Sequence, residues 1–144
     1  MGEVYAEITL KNGGDIVLAR NGHITEQGIR SATVTALVDT GATTLVMGEK
    51  LRKQLGLTIV ETKTATLAGG TKSYCHITEP VQIYWNERSS SVQAWVLPGD
   101  EDILLGLIPL EEMDLIVDPK NRKLVGAHGD EVLGKIKGNI RKVS

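Results

Sequence analysis

The sequence predicts a mainly β domain, closed on itself or folded as a sandwich, with one or two short helices. Three observations carry this. Short apolar and β-branched runs recur along the chain, each ending in a cluster of Gly, Asn, Asp or Pro. Only one longer segment keeps a helical apolar period. At 144 residues the chain fits one domain.

Taken in order, residues 4–10 form a loosely alternating first strand that ends at Lys11-Asn12-Gly13-Gly14. Residues 15–20 read as the next strand and end at Asn21-Gly22. Both Asn-Gly pairs suit tight hairpins, because Asn and Gly tolerate positive φ. Residues 32–38 are a strand with Ala32, Val34, Ala36 and Val38 on one face. Met47, Leu51 and Leu55 recur at helical spacing. Glu49 early and Arg52 and Lys53 late match the helix dipole, and Gly56 is a natural C-terminal cap. Strands at 58–67 and 71–78 flank Ala68-Gly69-Gly70, and strands at 81–85 and 91–97 flank Asn86-Glu87-Arg88. Residues 115–117 and 123–125 flank Asp118-Pro119-Lys120-Asn121, a type I turn sequence. The main domain is assigned to residues 1–126 and a basic extension to 127–144. From Gly134 onward the extension has four cations and no acid, as suits a solvated tail. An added strand at a dimer interface is the sharper alternative.

Charge and composition narrow the function. A net charge of -2 suggests neither a nucleic-acid nor a membrane partner. Cys75 is the one cysteine, so no intramolecular disulfide forms and a reducing, cytoplasmic setting fits. It reads as a small packing residue. Residues 1–5 hold no apolar signal core, Ala6 breaks the N-myristoylation pattern, and no run approaches the ~18 apolar residues of a membrane span. His23, His76 and His128 are scattered, and the side chains of adjacent Cys75 and His76 point to opposite faces of a strand. No metal site, phosphate loop or cofactor is expected. Glu111 and Glu112 read as a solvated helix face.

The richest stretch is Ala36-Leu37-Val38-Asp39-Thr40-Gly41-Ala42-Thr43-Thr44. An acid at the end of an apolar strand is costly unless it is hydrogen-bonded or functional. Asp39 therefore reads either as a turn aspartate that bonds local N–H groups or as a chemical group. Gly14-Asp15-Ile16 and Gly99-Asp100-Glu101 lack the hydroxyl and glycine that follow Asp39. Far downstream, Ile103-Leu104-Leu105-Gly106 is an apolar triplet ending in glycine, and 107–113 reads as a short helix with Pro109 in its first turn.

Together these segments resemble aspartic proteases, which carry Asp-Thr-Gly behind apolar residues, and in particular the retropepsin-like single-domain type, including cellular members of bacterial type. The resemblance spans residues 30–118. It implies an acid-protease closed β-barrel and, with one Asp-Thr-Gly per chain, a homodimer. In that reading Asp39, Thr40 and Gly41 are catalytic. Asp39 of each copy supplies a carboxylate, and two such groups about 3 Å apart share one proton, as in other aspartic proteases. Thr40 orients the loop across the dimer axis, Gly41 lets the backbone turn, and Ala42 leaves room for substrate. Ala68, Gly69, Gly70 and Thr71 resemble the tip of a flap that closes over a protein or peptide substrate; an ordinary hairpin turn is the plainer reading. Tyr74 and Trp95 either line the groove or are half-buried sheet residues. Where retroviral enzymes often place an acid, this chain has Thr43-Thr44, which bears on substrate contacts rather than on the chemistry. The resemblance thus implies an aspartic endopeptidase. A catalytically inactive dimerisation or peptide-binding module of the same fold is the alternative.

Overall fold

The computed structural model describes residues 2–99 and 102–129. The first strand, β1 (Tyr5–Asn12), alternates outward and inward residues, so Ala6, Ile8 and Leu10 enter the core. It pairs antiparallel with β2 (Ser31–Val38). β2 runs parallel to the two-residue β7 (Leu104–Leu105), which pairs antiparallel with β3 (Leu45–Gly48). β3 lies parallel to β6 (Arg88–Leu97), and β6 pairs antiparallel with the long β5 (Lys72–Trp85). The far end of β5 returns to β1, where Thr9–Asn12 oppose Val81–Tyr84. Six strands thus close into a barrel. Closure removes the sheet edges that an open β domain must otherwise protect. β4 (Ile59–Thr66) hangs outside the ring, and among the described strands it pairs only with the first half of β5.

The core fills the barrel. Ile8, Leu10, Leu45, Met47, Val81, Ile83, Val96 and Leu105 are essentially inaccessible. Helix α2 (Glu49–Leu55) plugs one side with Leu55, and Gly56 ends it at φ +63, a conformation that glycine adopts without a Cβ penalty. Helix α3 (Leu107–Glu112) buries Pro109 and Leu110, and β8 (Leu115–Asp118) and β9 (Lys123–Gly126) make a separate two-stranded sheet. The expected turn joins them, with the Asp118 carboxylate accepting from the N–H groups of Lys120 and Asn121. These bonds, led by that from the Asn121 side chain, hold the Asp118 pKa below the usual carboxylate value.

Several sequence expectations are corrected. Residues 15–20 are not a strand: α1 (Gly13–Arg20) is a helix. The Asn12 side chain caps it by accepting from the N–H of Asp15, Asp15 lies in its first turn and Arg20 in its last. Neither Asn-Gly pair makes a hairpin, because Asn12 and Asn21 are the two caps of this helix. The described residues therefore hold three α-helices where one or two were expected. Met47 lies in β3, ahead of the helix it was assigned to. Strands 71–78 and 81–85 are one continuous β5, with a register shift between Ile77 and Pro80 that accommodates the proline. The β5–β6 turn is Asn86-Glu87, with Asn86 at φ +50, and Arg88 already belongs to β6. The basic tail from 134 lies outside the described residues.

Candidate active site

β2 delivers Asp39 to the site and β7 holds it there. The N–H of Leu37 donates to the carbonyl of Ile103 at 2.8 Å, and that of Asp39 to Leu105 at 3.0 Å. Leu105 is fully buried, so the loop rests on an apolar floor. The chain turns at once: the N–H of Ala42 donates to the Asp39 carbonyl at 3.0 Å. The Gly41 N–H donates to Asp39 Oδ1 at 2.9 Å. A Cβ at Gly41 would stand 3.2 Å from that oxygen, so glycine here keeps the backbone close to the carboxylate.

The downstream triplet supports the loop from below. Gly106 lies so close that a Cβ there would be 2.3 Å from the carbonyl oxygen of Thr44 and 2.6 Å from that of Ala42. From the start of α3, the N–H groups of Leu107 and Ile108 donate to the carbonyls of Ala42 and Thr43 at 2.8 and 3.0 Å. Thr44 is buried and its hydroxyl donates to the carbonyl of Gln93 at 3.3 Å. Two segments some sixty residues apart in sequence thus build one loop.

A cleft of about 510 Å³ opens over Asp39. Its base is Asp39, Gly41, Ala42 and Thr43; the barrel wall adds Val46, Trp95, Leu97 and Leu104; the β4 side adds Ala65, Thr66 and Leu67. Asp39 is half-buried, and among the described residues the ion pairs all lie elsewhere. Its Oδ2 has no hydrogen-bond donor among the described residues. This is a carboxylate presented to a cleft rather than locked into the fold.

Each expected residue has a definite place. Thr40 is exposed at the loop tip beside Asp39. Ala42 lines the cleft. Ala68–Gly70 form a 3-10 turn at the end of the β4–β5 hairpin, with Gly69 at φ +86 and Gly70 at φ +85. Gly69, Gly70 and Thr71 are exposed, and the cleft meets the hairpin lower down, at Ala65–Leu67. Tyr74 is 73% exposed, which corrects the half-buried position expected for it. Trp95 does line the cleft. Val46, Leu97 and Leu104 were not foreseen as wall residues; the signal was the alternation of β6 and the triplet itself, but which face meets the cleft is set by strand pairing.

Elsewhere the chemistry is quiet. Cys75 is fully buried, and burial pushes its thiol pKa up. No group of His, Cys, Asp and Glu among the described residues is arranged to hold a metal ion, and none of the described helices is long and apolar enough to cross a membrane. Both Glu111 and Glu112 are exposed. A larger, shallow concavity of about 1120 Å³ lies between Tyr5, Trp85 and β9. The Arg88 guanidinium in its wall is already engaged by the carbonyls of Met113, Asp114 and Gly129.

The barrel, the Asp-Thr-Gly loop and the triplet beneath it define a retropepsin-like fold. The comparison with solved structures agrees. The retroviral protease-like domain of Ddi1 from Leishmania major superposes with a TM-score of 0.56, covering 92% of this chain and 91% of that domain at 14% identity. That likeness is one of fold. Residues 24–107, more than half of the chain, match the aspartyl protease family, and the chain belongs to that family. No curated protein sequence matches it.

Proposed function

We propose that the protein is an aspartic endopeptidase that works as a homodimer, with Asp39 of each copy completing one site. The observation that carries this is Asp39 itself: a carboxylate without a cationic partner among the described residues, held at the base of a cleft by the triplet that ends in buried Leu105. Membership of the aspartyl protease family supports the reaction class. One acid cannot both activate water and protonate the carbonyl, and the chain carries one Asp-Thr-Gly. A second copy related by a two-fold axis supplies the other, which makes the interface isologous.

In this reading the ionised aspartate takes a proton from water as the water attacks the scissile carbonyl, and the protonated one donates to the carbonyl oxygen. Gly41 N–H keeps the attacking side oriented through Oδ1. Thr40 steadies the paired loops, and Ala42 leaves space for the substrate chain. The peptide lies extended in the cleft, with the β4–β5 hairpin over it; Gly69 and Gly70 give the tip its freedom. The single buried thiol suits a reducing compartment and supports a cytoplasmic setting.

Hydrolysis of an unfolded casein-type substrate, wild type beside Asp39→Asn, tests the chemistry. Turnover by wild type alone is expected, unaffected by chelators. Specific activity should fall on dilution in step with dissociation seen by sedimentation velocity. Equal turnover by Asp39→Asn sinks the assignment. A monomer of constant specific activity sinks the shared site. Peptide binding without Asp39-dependent cleavage would make the protein a binding module.

A further inference from the structure

We propose that Trp95 is a specificity-determining residue, its indole limiting the pocket beside Asp39 to medium-sized aliphatic side chains of an extended peptide. The proposal rests on the reading of Asp39 as the hydrolytic carboxylate and names which substrates that site accepts.

The placement of Trp95 follows from the alternation of β6. Val92, Ala94 and Val96 are buried toward the barrel core, so Trp95 and Leu97 face the opposite way, into the cleft. In the sheet Trp95 lies between Val46 of β3 and Ile77 of β5. The covered part of the indole packs on a small buried cluster of Ala65, Cys75 and Ile77. Ala65 and Cys75 come from the two arms of the β4–β5 hairpin, so the ring is braced by the hairpin base and cannot turn aside without moving it. Its remaining surface is cleft wall.

The chemistry of the pocket follows. Beside the indole stand the branched side chains of Val46, Leu97 and Leu104, and among the described residues the one charged lining residue is Asp39. An acidic substrate side chain would face Asp39, with no cation among the described lining residues to receive it. A lysine would leave water to lie against leucines. A valine, isoleucine or leucine matches the walls. A large aromatic side chain seated against this wall must compete for volume with the indole already in place, which the hairpin base braces from behind. Trp95 acts here on which peptide is accepted, not on the reacting atoms.

Cleavage of a mixed-sequence peptide library, read by mass spectrometry, tests this with wild type, Trp95→Phe and Trp95→Ala. Wild type should select aliphatic residues at one fixed position next to the cleaved bond. Trp95→Ala should move that position toward Phe and Tyr by about tenfold in relative kcat/KM, the size expected for a remodelled apolar pocket. Trp95→Phe should fall between, and it carries the test if Trp95→Ala does not fold. An unchanged profile in the folded variants overturns the proposal. If wild type cuts nothing, the hydrolytic reading fails and the pocket is tested without turnover. With Trp85→Phe, Trp95 is the one remaining indole. Titration with a short valine- or leucine-bearing peptide should shift its emission to the blue and saturate about tenfold more tightly than the matched Lys or Asp peptides. No spectral change, or no discrimination among the three, overturns the proposal.

Discussion

Asp15 and Asp39 are both acids next to a turn, and the fold treats them in opposite ways. Asp15 is 4% exposed and accepts from Arg30 three times: from Nε at 2.8 Å, from Nη2 at 2.9 Å and from the backbone N–H at 3.0 Å. The Arg30 side chain beside it holds its pKa below the usual carboxylate value, against the opposing effect of burial. Asp39 accepts one backbone N–H, from Gly41, and opens onto a cleft. The first carboxylate fastens α1 to the segment entering β2, while Asn12 beside it ties the end of α2 through the carbonyls of Leu55 and Gly56. The second fastens little and remains available. An acid with both oxygens held by a cation is structure; an acid with a free oxygen over a cleft is a candidate for chemistry.

That contrast can be broken most sharply at Asp39. Asp39→Asn keeps shape and the Gly41 contact, so unfolding free energy should move by less than about 0.5 kcal/mol. Hydrolysis should fall by at least about 10²–10⁴-fold, the usual contribution of a positioned acid or base. Steady-state kinetics beside a denaturation curve check both halves.

A change beneath the loop should damage site and fold together. Gly106→Ala places a Cβ against the Thr44 and Ala42 carbonyls and should cost about 1–3 kcal/mol, with a parallel loss of turnover as Asp39 shifts. Normal activity in a destabilised variant would mean that the triplet supports the barrel but not the loop.

Asp15→Asn should do the reverse of Asp39→Asn: a stability loss of about 1–3 kcal/mol at neutral pH, with unchanged kcat in the folded protein. Its pH dependence has a definite sign. The folded pKa of Asp15 is lowered, so its contribution is complete above the unfolded value of about 3.9 and disappears as pH falls through that value toward the lower folded one. Urea unfolding of wild type and Asp15→Asn should therefore differ at pH 6 and converge in strong acid. A gap that widens on acidification contradicts the pairing.

The smallest effect is expected at the hairpin tip. Gly69 and Gly70 have open space where a Cβ would sit, so valine there meets no neighbour and suffers only from its positive φ. The double valine variant should slow turnover several-fold and barely move the unfolding midpoint. Normal kinetics would reduce these glycines to an ordinary turn.

How much of this was readable beforehand depends on the range of the forces involved. β2, α2, the β8–β9 hairpin and the short helix after the triplet were legible because alternation, helical spacing and turn residues are properties of neighbouring positions. α1 was not. Residues 15–20 show no amphipathic period, and Val17 and Leu18 are half-exposed in the helix they form. What makes the segment helical is the Asn12 cap and a carboxylate paired with Arg30, a partner fifteen residues on. Tyr74 was misplaced for a related reason: β4 hangs outside the barrel, so among the described residues one face of the hairpin is left uncovered.

By itself the sequence determined the acid, the hydroxyl and the glycine at 39–41, the apolar triplet at 103–105 and the glycine after it. Those choices are local: a strand that must end, a turn that must be tight, a backbone that must come close. Only the tertiary structure decided that the two segments meet, that β1 closes on β5, that Asp15 is locked while Asp39 is open, and that Trp95 rather than Tyr74 faces the cleft. These depend on strand order and register, and a residue's neighbours across a sheet are not written in the residues beside it.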